Sequence, residues 1–351
     1  AIKTAEPFLP AGTFIAREQT YVHTFYKKEA TAQQPATSKE EGNLVAFSGP
    51  DFKATFDKQS GLLTSYLYKK HEYILNGQGP RPFFWRAPTD NDYGANLPVR
   101  LKAWKEASYQ EPKAESFQVT PGSNATTVKV TYRFPQTEAR WNITYKIYAS
   151  GVIKVDNRFM AEGDQAPMIP RVGLRMQLPE SFTDLTYYGR GPKENYRDRR
   201  TSQFIGEYAI PVKDMYEPYV RPQENNHRTD IYWCALTDKT QRGLLLIADR
   251  TFELNASNYP LESMDSGDTI DNGAPRTEKT HHRHLTDPLP EKMVDLFIDY
   301  RMMGVGGDDS WGATAHEHYL IRPGKENAIE YGFSLVPFDK KEDYKYLIRQ
   351  Y

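Results

Sequence analysis

Asp308 and Asp309 stand side by side in GVGGDDSWGA (304–313), preceded by Gly304, Gly306 and Gly307 and followed by Ser310 and Trp311, one of five tryptophans in the chain. Two carboxylates at close range are the equipment of glycoside hydrolysis, where one acts as acid and the other as base or nucleophile. A second acidic group, Asp90-Asn91-Asp92, lies in FFWRAPTDNDYG (83–94). Residues one apart in a turn rarely converge on one substrate atom, and Asp and Asn there bond their own backbone. Both groups therefore read as loop-shaping residues.

Other side chains invite metal or acid–base chemistry. His281, His282 and His284 cluster in THHRHL, and His316-Glu317-His318 places two imidazoles on one face of an expected strand. Neither set is completed by a cysteine pair or a spaced third ligand, so no metal site is predicted. The single cysteine, Cys234, sits in the apolar run YWCALTD and reads as core. YYGRGPKENYRDR (187–199) has turn glycines at 189 and 191 and a mixed-charge set, Arg190, Lys193, Glu194, Arg197, Asp198 and Arg199. Lacking the Lys-Ser/Thr ending of a phosphate loop, it reads as a salt-bridged loop. MYEPYVRPQEN (215–225) reads as an irregular segment ending in Gln223, Glu224 and Asn225.

The elements that must position these residues are mostly strands. The chain has 351 residues, with 24 Tyr and 17 Phe, an aromatic weighting that favours strands. Alternating runs recur in FKATFDKQSGLLTSYLY, a hairpin turning at 59–61, and in TTVKVTYRF (126–134) and WNITYKIYASGVIKVDNRF (141–159). RVGLRMQLP, RGLLLIADR, MVDLFIDYRM and NAIEYGFSLVPF add more. One helical pattern stands out, LPVRLKAWKEASYQ (97–110), with Leu97, Leu101, Trp104 and Ala107 on one face. Many strands and few helices predict a large antiparallel sandwich.

Residues 12–26 read as a strand or two, and KKEATAQQPATSKEEGN (27–43) reads as linker. The expected division is therefore 1–28, 29–45 and 46–351. Forty-five basic against 46 acidic residues give no one-sided basic surface for nucleic acid. No apolar run approaches the roughly 20 residues of a membrane helix, so the sequence predicts a soluble protein. Its opening, AIKTAEPFLP, lacks a Met or an h-region and reads as a cut from a longer chain.

FFWRAPTDNDYG, YYGRGPKENYRDR, MYEPYVRPQEN, HHRHL and GVGGDDSW stand in an order and spacing that resemble the C-terminal domain of glycoside hydrolase family 2 β-galactosidases of the large, five-domain type. The resemblance runs from about residue 46 to 338, and PAGTFIAREQ looks like the end of a preceding immunoglobulin-like domain. It implies an all-β fold, a large antiparallel supersandwich of galactose-mutarotase type. It also implies a parent enzyme that hydrolyses terminal β-D-galactosides with retention, using two glutamates on a TIM barrel that this chain lacks. Magnesium and sodium would bind through those absent domains, and no cofactor or metal is expected on this chain.

By the same resemblance no catalytic residue is expected here, and this chain alone should be inactive. Trp311 matches the tryptophan that forms a sugar platform at the active-site mouth, with Gly307, Asp308, Asp309 and Ser310 shaping its loop. Sugar C–H faces pack on an indole while its N–H bonds outward. Expected partners are a galactoside or other carbohydrate and the enzyme's own barrel, with a homo-oligomeric parent; the sequence leaves the compartment, bacterial cytoplasm or periplasm, open. Two other readings stand beside this one. One is a free-standing aldose epimerase, needing an acid–base pair drawn from His227, Glu224, His282 and His284; the other is an independent carbohydrate-binding module.

Overall fold

The structure, a computed structural model, describes residues 1–20, 34–163, 167–267, 284–309 and 312–350. It is all-β in character, and every strand pair is antiparallel. A five-stranded sheet is formed by β1 (Thr37–Glu41), β2 (Leu44–Ser48), β3 (Phe52–Asp57), β4 (Leu63–Tyr68) and β5 (His71–Glu72), in that order.

The larger sheet contains β6 (Arg81–Phe83), β7 (Ala114–Thr120), β8 (Thr126–Phe134), β9 (Ala139–Ile147), β10 (Ile153–Ala161), β11 (Arg171–Pro179), β12 (Asp184–Gly191), β13 (Phe204–Pro211), β14 (Arg228–Thr237), β15 (Gly243–Ser257), β16 (Met293–Met302) and β17 (Ile329–Phe338). Its main path runs β13-β12-β14-β15-β17-β10-β9-β8-β7, and β16, β11 and β6 branch from β15. The 15-residue β15 makes the branch possible. Its first half, from Gly243 to Ala248, pairs with β17, and its second half, from Glu253 to Ser257, pairs with β16. One strand thus ties both parts of the sandwich together.

Alternation decides the faces. In β8 the residues Val128, Val130, Tyr132 and Phe134 are buried while Lys129 and Arg133 are exposed. Strands β11 and β16, covered on both faces, read as near-continuous apolar runs broken by charge. The core is aromatic: Phe84 lies 5.0 Å from Trp104 and Phe134, 5.4 Å from Trp141 and 5.6 Å from Phe159. Removing one such ring typically costs about 3–5 kcal/mol. The small sheet docks through Phe56, whose ring is 5.0 Å from Tyr145 of β9.

The expected helix appears as two pieces, α2 (Leu97–Arg100) and α3 (Lys102–Tyr109), preceded by α1 (Asp90–Gly94). Leu97, Leu101, Trp104 and Ala107 are all buried, as their spacing predicts. A short α4 (Tyr344–Gln350) closes the described chain.

Three local expectations are corrected. The span 29–45, read as linker, holds β1 and the start of β2; every β1 residue is exposed, so this edge strand carries no alternation to read. Gly189 and Gly191, read as turn residues, lie within β12. A Cβ on Gly189 would come within 2.4 Å of Ile231, so glycine serves close strand packing there. His316-Glu317-His318 enters a 3₁₀ turn rather than a strand.

Residues 1–20 form no regular strand; the rest of the 12–26 stretch lies outside the described residues. That N-terminal arm touches edge strand β13 through Gln19, whose amide donates to Ile205 O (2.8 Å) and accepts from Ile205 N (2.7 Å).

Candidate functional site

Four of the motifs singled out in the sequence converge at one end of the sandwich. The first begins with Pro88, which steers Ala87 away from helical geometry. Thr89 then caps α1 reciprocally: Asp92 N donates to Thr89 Oγ1 (3.1 Å), and Thr89 N donates to Asp92 Oδ2 (3.0 Å). This turn aims the Asp92 carboxylate at Arg86. Arg86 Nε donates to Asp92 Oδ2 (2.9 Å) and Nη2 to Asp92 Oδ1 (2.8 Å). The remaining face of the guanidinium serves the loop after β16, with Nη1 donating to Met303 O (2.8 Å) and Nη2 to Gly304 O (3.0 Å). Arg86 is only 2% exposed. Burial pulls its pKa down, but the Asp92 charge outweighs that and raises it, so the cation persists.

Asp90 and Asp92 therefore diverge. Asp90 is exposed and meets Gln223 and Arg221, while Asp92 is consumed by Arg86. The loop 304–313 is held from a second side by Asp198, whose Oδ2 accepts from Gly306 N (2.8 Å). A third contact is steric. Gly312 has φ +125°, and a Cβ there would lie 2.5 Å from Gly94 O at the end of α1. A Cβ on Gly307 would stand 2.2 Å from Ala313 O, so the loop folds closely on itself. Asp309 Oδ1 accepts from Ala313 N (3.2 Å), and Asp308 Oδ1 pairs with His316 Nε2 (2.7 Å). These contacts engage Gly307, Asp308 and Asp309 within the loop and with His316; Ser310 and Trp311 lie outside the described residues.

The mixed-charge set does form ion pairs, Glu194 with Arg199 (2.6 Å) and Arg190 with Asp230 (2.7 Å). Glu194 also receives Tyr219 Oη and Asn226 N (2.8 Å), tying 187–199 to 215–226. Glu224 N donates to Ala87 O (3.2 Å), closing the circle back to the first motif.

Behind this end lies a buried ionic network. The Asn255 amide donates through Nδ2 to Glu224 Oε1 (2.9 Å) and Asn225 O (2.8 Å), which fixes its orientation. Its Oδ1 then accepts from Arg171 Nη2 (2.8 Å) and from His227 Nδ1 (2.6 Å). His227 Nε2 meets Glu253 Oε2 (3.0 Å), an oxygen that also accepts from Met302 N (2.7 Å). Acceptors at both nitrogens favour the protonated ring. Burial lowers its pKa, but the Glu253 hydrogen bond and charge prevail and raise it.

His227 is fully buried and stacks on Tyr196 at 5.3 Å. Its partner is Glu253 rather than Glu224, and both ring nitrogens are occupied, so His227 and Glu224 do not form the acid–base pair considered for an epimerase. His284 is exposed and is not part of the network; His281 and His282 fall outside the described residues. Cys234 is core, its thiol pushed well up by burial. His318 packs its ring on Tyr319 (3.9 Å). Among the described residues no cluster of three or more metal-ligating side chains occurs, and no helix is long and apolar enough to cross a membrane.

Sequence reading missed Arg86 as the clamp on the loop, and Arg171, Glu253, Asn255 and Asp299 as a connected network. A signal was available: β11 carries Arg171 and Arg175 four apart, and β16 carries Asp295 and Asp299 four apart, in largely apolar strands. Charges in such runs require partners, and the antiparallel register supplies them.

Residues 48–335 match the family model described as "Beta galactosidase small chain". The chain is similar to a β-galactosidase of Priestia megaterium, 33% identical over 291 residues, covering 83% of this chain and 26% of that protein. It is also similar to a β-galactosidase of Streptococcus thermophilus, 27% identical over 343 residues, covering 96% of this chain and 31% of that protein. The chain thus spans less than a third of these curated relatives. Among solved structures it resembles the GalM/aldose epimerase homologue from C. elegans with TM-score 0.42 and 8% identity, covering 82% of this chain and 96% of that one. By the family model that matches most of its length, the chain belongs to the β-galactosidase small-chain family.

Proposed function

We propose that this chain is the C-terminal part of a retaining β-galactosidase and lends the 304–313 loop, with Trp311, to an active site whose two glutamates lie elsewhere in the protein. The supporting observation is the way the loop is held: a buried Arg86–Asp92 pair, Asp198 and the end of α1 fix its base from three sides. Such fixation suits a binding surface, because a preformed platform loses less entropy when a sugar docks. Trp311 supplies the stacking face for the aglycone side of the galactoside. Asp92, Asp198, Asp308 and Asp309 are engaged in holding the loop, and on this reading catalysis, with any bound magnesium or sodium, lies elsewhere in the protein.

Two measurements test the reading. The chain by itself, incubated with a chromogenic β-galactoside, should give no turnover above blank. In the whole enzyme, Trp311→Ala should weaken glucose as an acceptor much more than it slows galactosyl-enzyme formation. Clear turnover by the chain, or equal losses in both steps, would overturn it.

A further inference from the structure

We propose that the cleft where β15 leaves β17 for β16 binds an acidic saccharide, a sugar carrying a carboxylate, through the guanidiniums of Arg250 and Arg301. The proposal draws neither on Trp311 nor on the 304–313 loop.

The cleft follows from the branching of the large sheet. Strand β15 pairs with β17 from Gly243 to Ala248 and with β16 from Glu253 to Ser257, so Asp249, Arg250 and Thr251 cross between the two pairings. On one side of the crossing, β17 pairs only with β10 from Ile329 to Gly332. On the other, β16 pairs with β15 no further than Asp299, and Tyr300 and Arg301 stand at the gap. Tyr331 bridges the two sides, its Oη donating to Ile298 O of β16 (3.1 Å). The gap is a cleft of about 720 Å³, within the range of roughly 300–1,000 Å³ that small-molecule sites occupy.

The charges lining it do not cancel. Its carboxylates are engaged: Glu330 with Arg158 (3.0 Å), Asp156 with Lys154 (3.3 Å) and Lys146 (3.4 Å), and Asp249 with Lys154. Arg250 and Arg301, both exposed, form no ion pair among the described residues. Arg301 lies over the Tyr300 ring, 4.8 Å from its centroid. Its charge is felt nearby: burial first, and then Arg301, hold the Arg197 guanidinium below its usual range. The whole chain carries a formal charge of −1, so this positive excess is local.

The rest of the lining suits a sugar better than a bare ion. Asn157 is 3% exposed, and its Oδ1 accepts from Trp141 Nε1 (3.0 Å), yet its Nδ2 has no partner. A buried donor left unmade is costly, and this one lines the cleft, where a ligand oxygen can meet it. Thr144 from β9 and Thr251 from β15 add hydroxyls on opposite sides. The Tyr300 ring adds an apolar face of the kind on which sugar C–H groups pack. Planar guanidiniums take a carboxylate in bidentate fashion. A uronic acid supplies both halves, a carboxylate for the arginines and ring hydroxyls for the amide and the threonines.

The test is an NMR titration of the isotope-labelled chain at about 0.15 M salt, where long-range attraction is screened. The probes are a trisaccharide of galacturonic acid, the neutral galactose trisaccharide and sodium sulfate. The acidic trisaccharide should shift the Gly332 and Thr251 amides and the Asn157 side-chain amide together. Its half-saturation should lie at least about tenfold below that of the neutral sugar and of sulfate. Arg250→Gln and Arg301→Gln should each raise it about fivefold or more, and the double variant should abolish the shifts, with β8 amides unchanged as evidence of folding. An equal response to the neutral trisaccharide means a cleft that does not read charge, and an equal response to sulfate means an anion patch alone. Either result overturns the proposal, as do wild-type binding by both arginine variants and no saturation by about 20 mM acidic trisaccharide.

Discussion

Arg175 grips Asp295 through two parallel contacts of 2.8 Å, Nε to Oδ1 and Nη2 to Oδ2, deep between β11 and β16. Four residues along each strand, Arg171 Nε stands 3.2 Å from Asp299 Oδ2, yet neither Asp299 oxygen accepts a well-aligned hydrogen bond. The same pairing chemistry, repeated on the same two strands, is well formed at one position and misaligned at the next. Asp295→Ala should leave the Arg175 cation in the core with only Glu262 beside it and destabilise the fold by about 3–5 kcal/mol, read from urea unfolding.

The misaligned pair has a pH signature. Burial raises the Asp299 pKa to about 7 against the lowering effects of Arg171 and His227. The native state therefore holds a proton that the unfolded chain has released above about pH 4, and stability falls as pH rises from 4 to 7. Asp299→Asn should flatten that slope, removing a change on the order of 4 kcal/mol. Unfolding midpoints at pH 5 and 8 that shift equally in both proteins would contradict this.

His227 adds a slope of the same sign. Its raised pKa contributes stability that is complete below the ordinary histidine range and is lost as pH climbs through the native value. Nitrogen NMR at pH 7 should show both ring nitrogens protonated, as the Asn255 and Glu253 contacts require. A neutral tautomer at that pH would refute the assignment.

Gly173→Ala should be severe. Its Cβ would fall 1.8 Å from Asp299 Oδ1 and 2.9 Å from Asp299 Cα, so backbone as well as side chain would have to give way. Overpacking of this kind costs about 1–3 kcal/mol, and thermal melting should report the loss.

Much of the scaffold was legible in the residues themselves. β8 spans 126–134, the run read from alternation, and the 97–110 face buried the four residues its spacing named. β1 was hidden because a strand exposed on both faces has no periodicity to display. Within the site, the motifs were visible as dense stretches, but their convergence was not. Arg86 and Met303 are 217 residues apart, and nothing local to either announces the contact. Glu253 and Asn255 were concealed differently: β15 is buried at both, and only the fold brings His227 and Arg171 to meet them.

The single amide of Gln19 against β13 has a consequence for self-association. Strand β13 is an edge of the large sheet, and its sequence FIGEYAIP holds one charge, Glu207, which Lys345 already engages. Such an edge is a template for any extended backbone that approaches it. Gln19 occupies both the N–H and the C=O of Ile205, the middle of that template's first half. A protein trimmed to start at residue 34 would keep its core and lose this plug. It would then leave that edge open to extended backbone, the arrangement that invites strand-to-strand pairing.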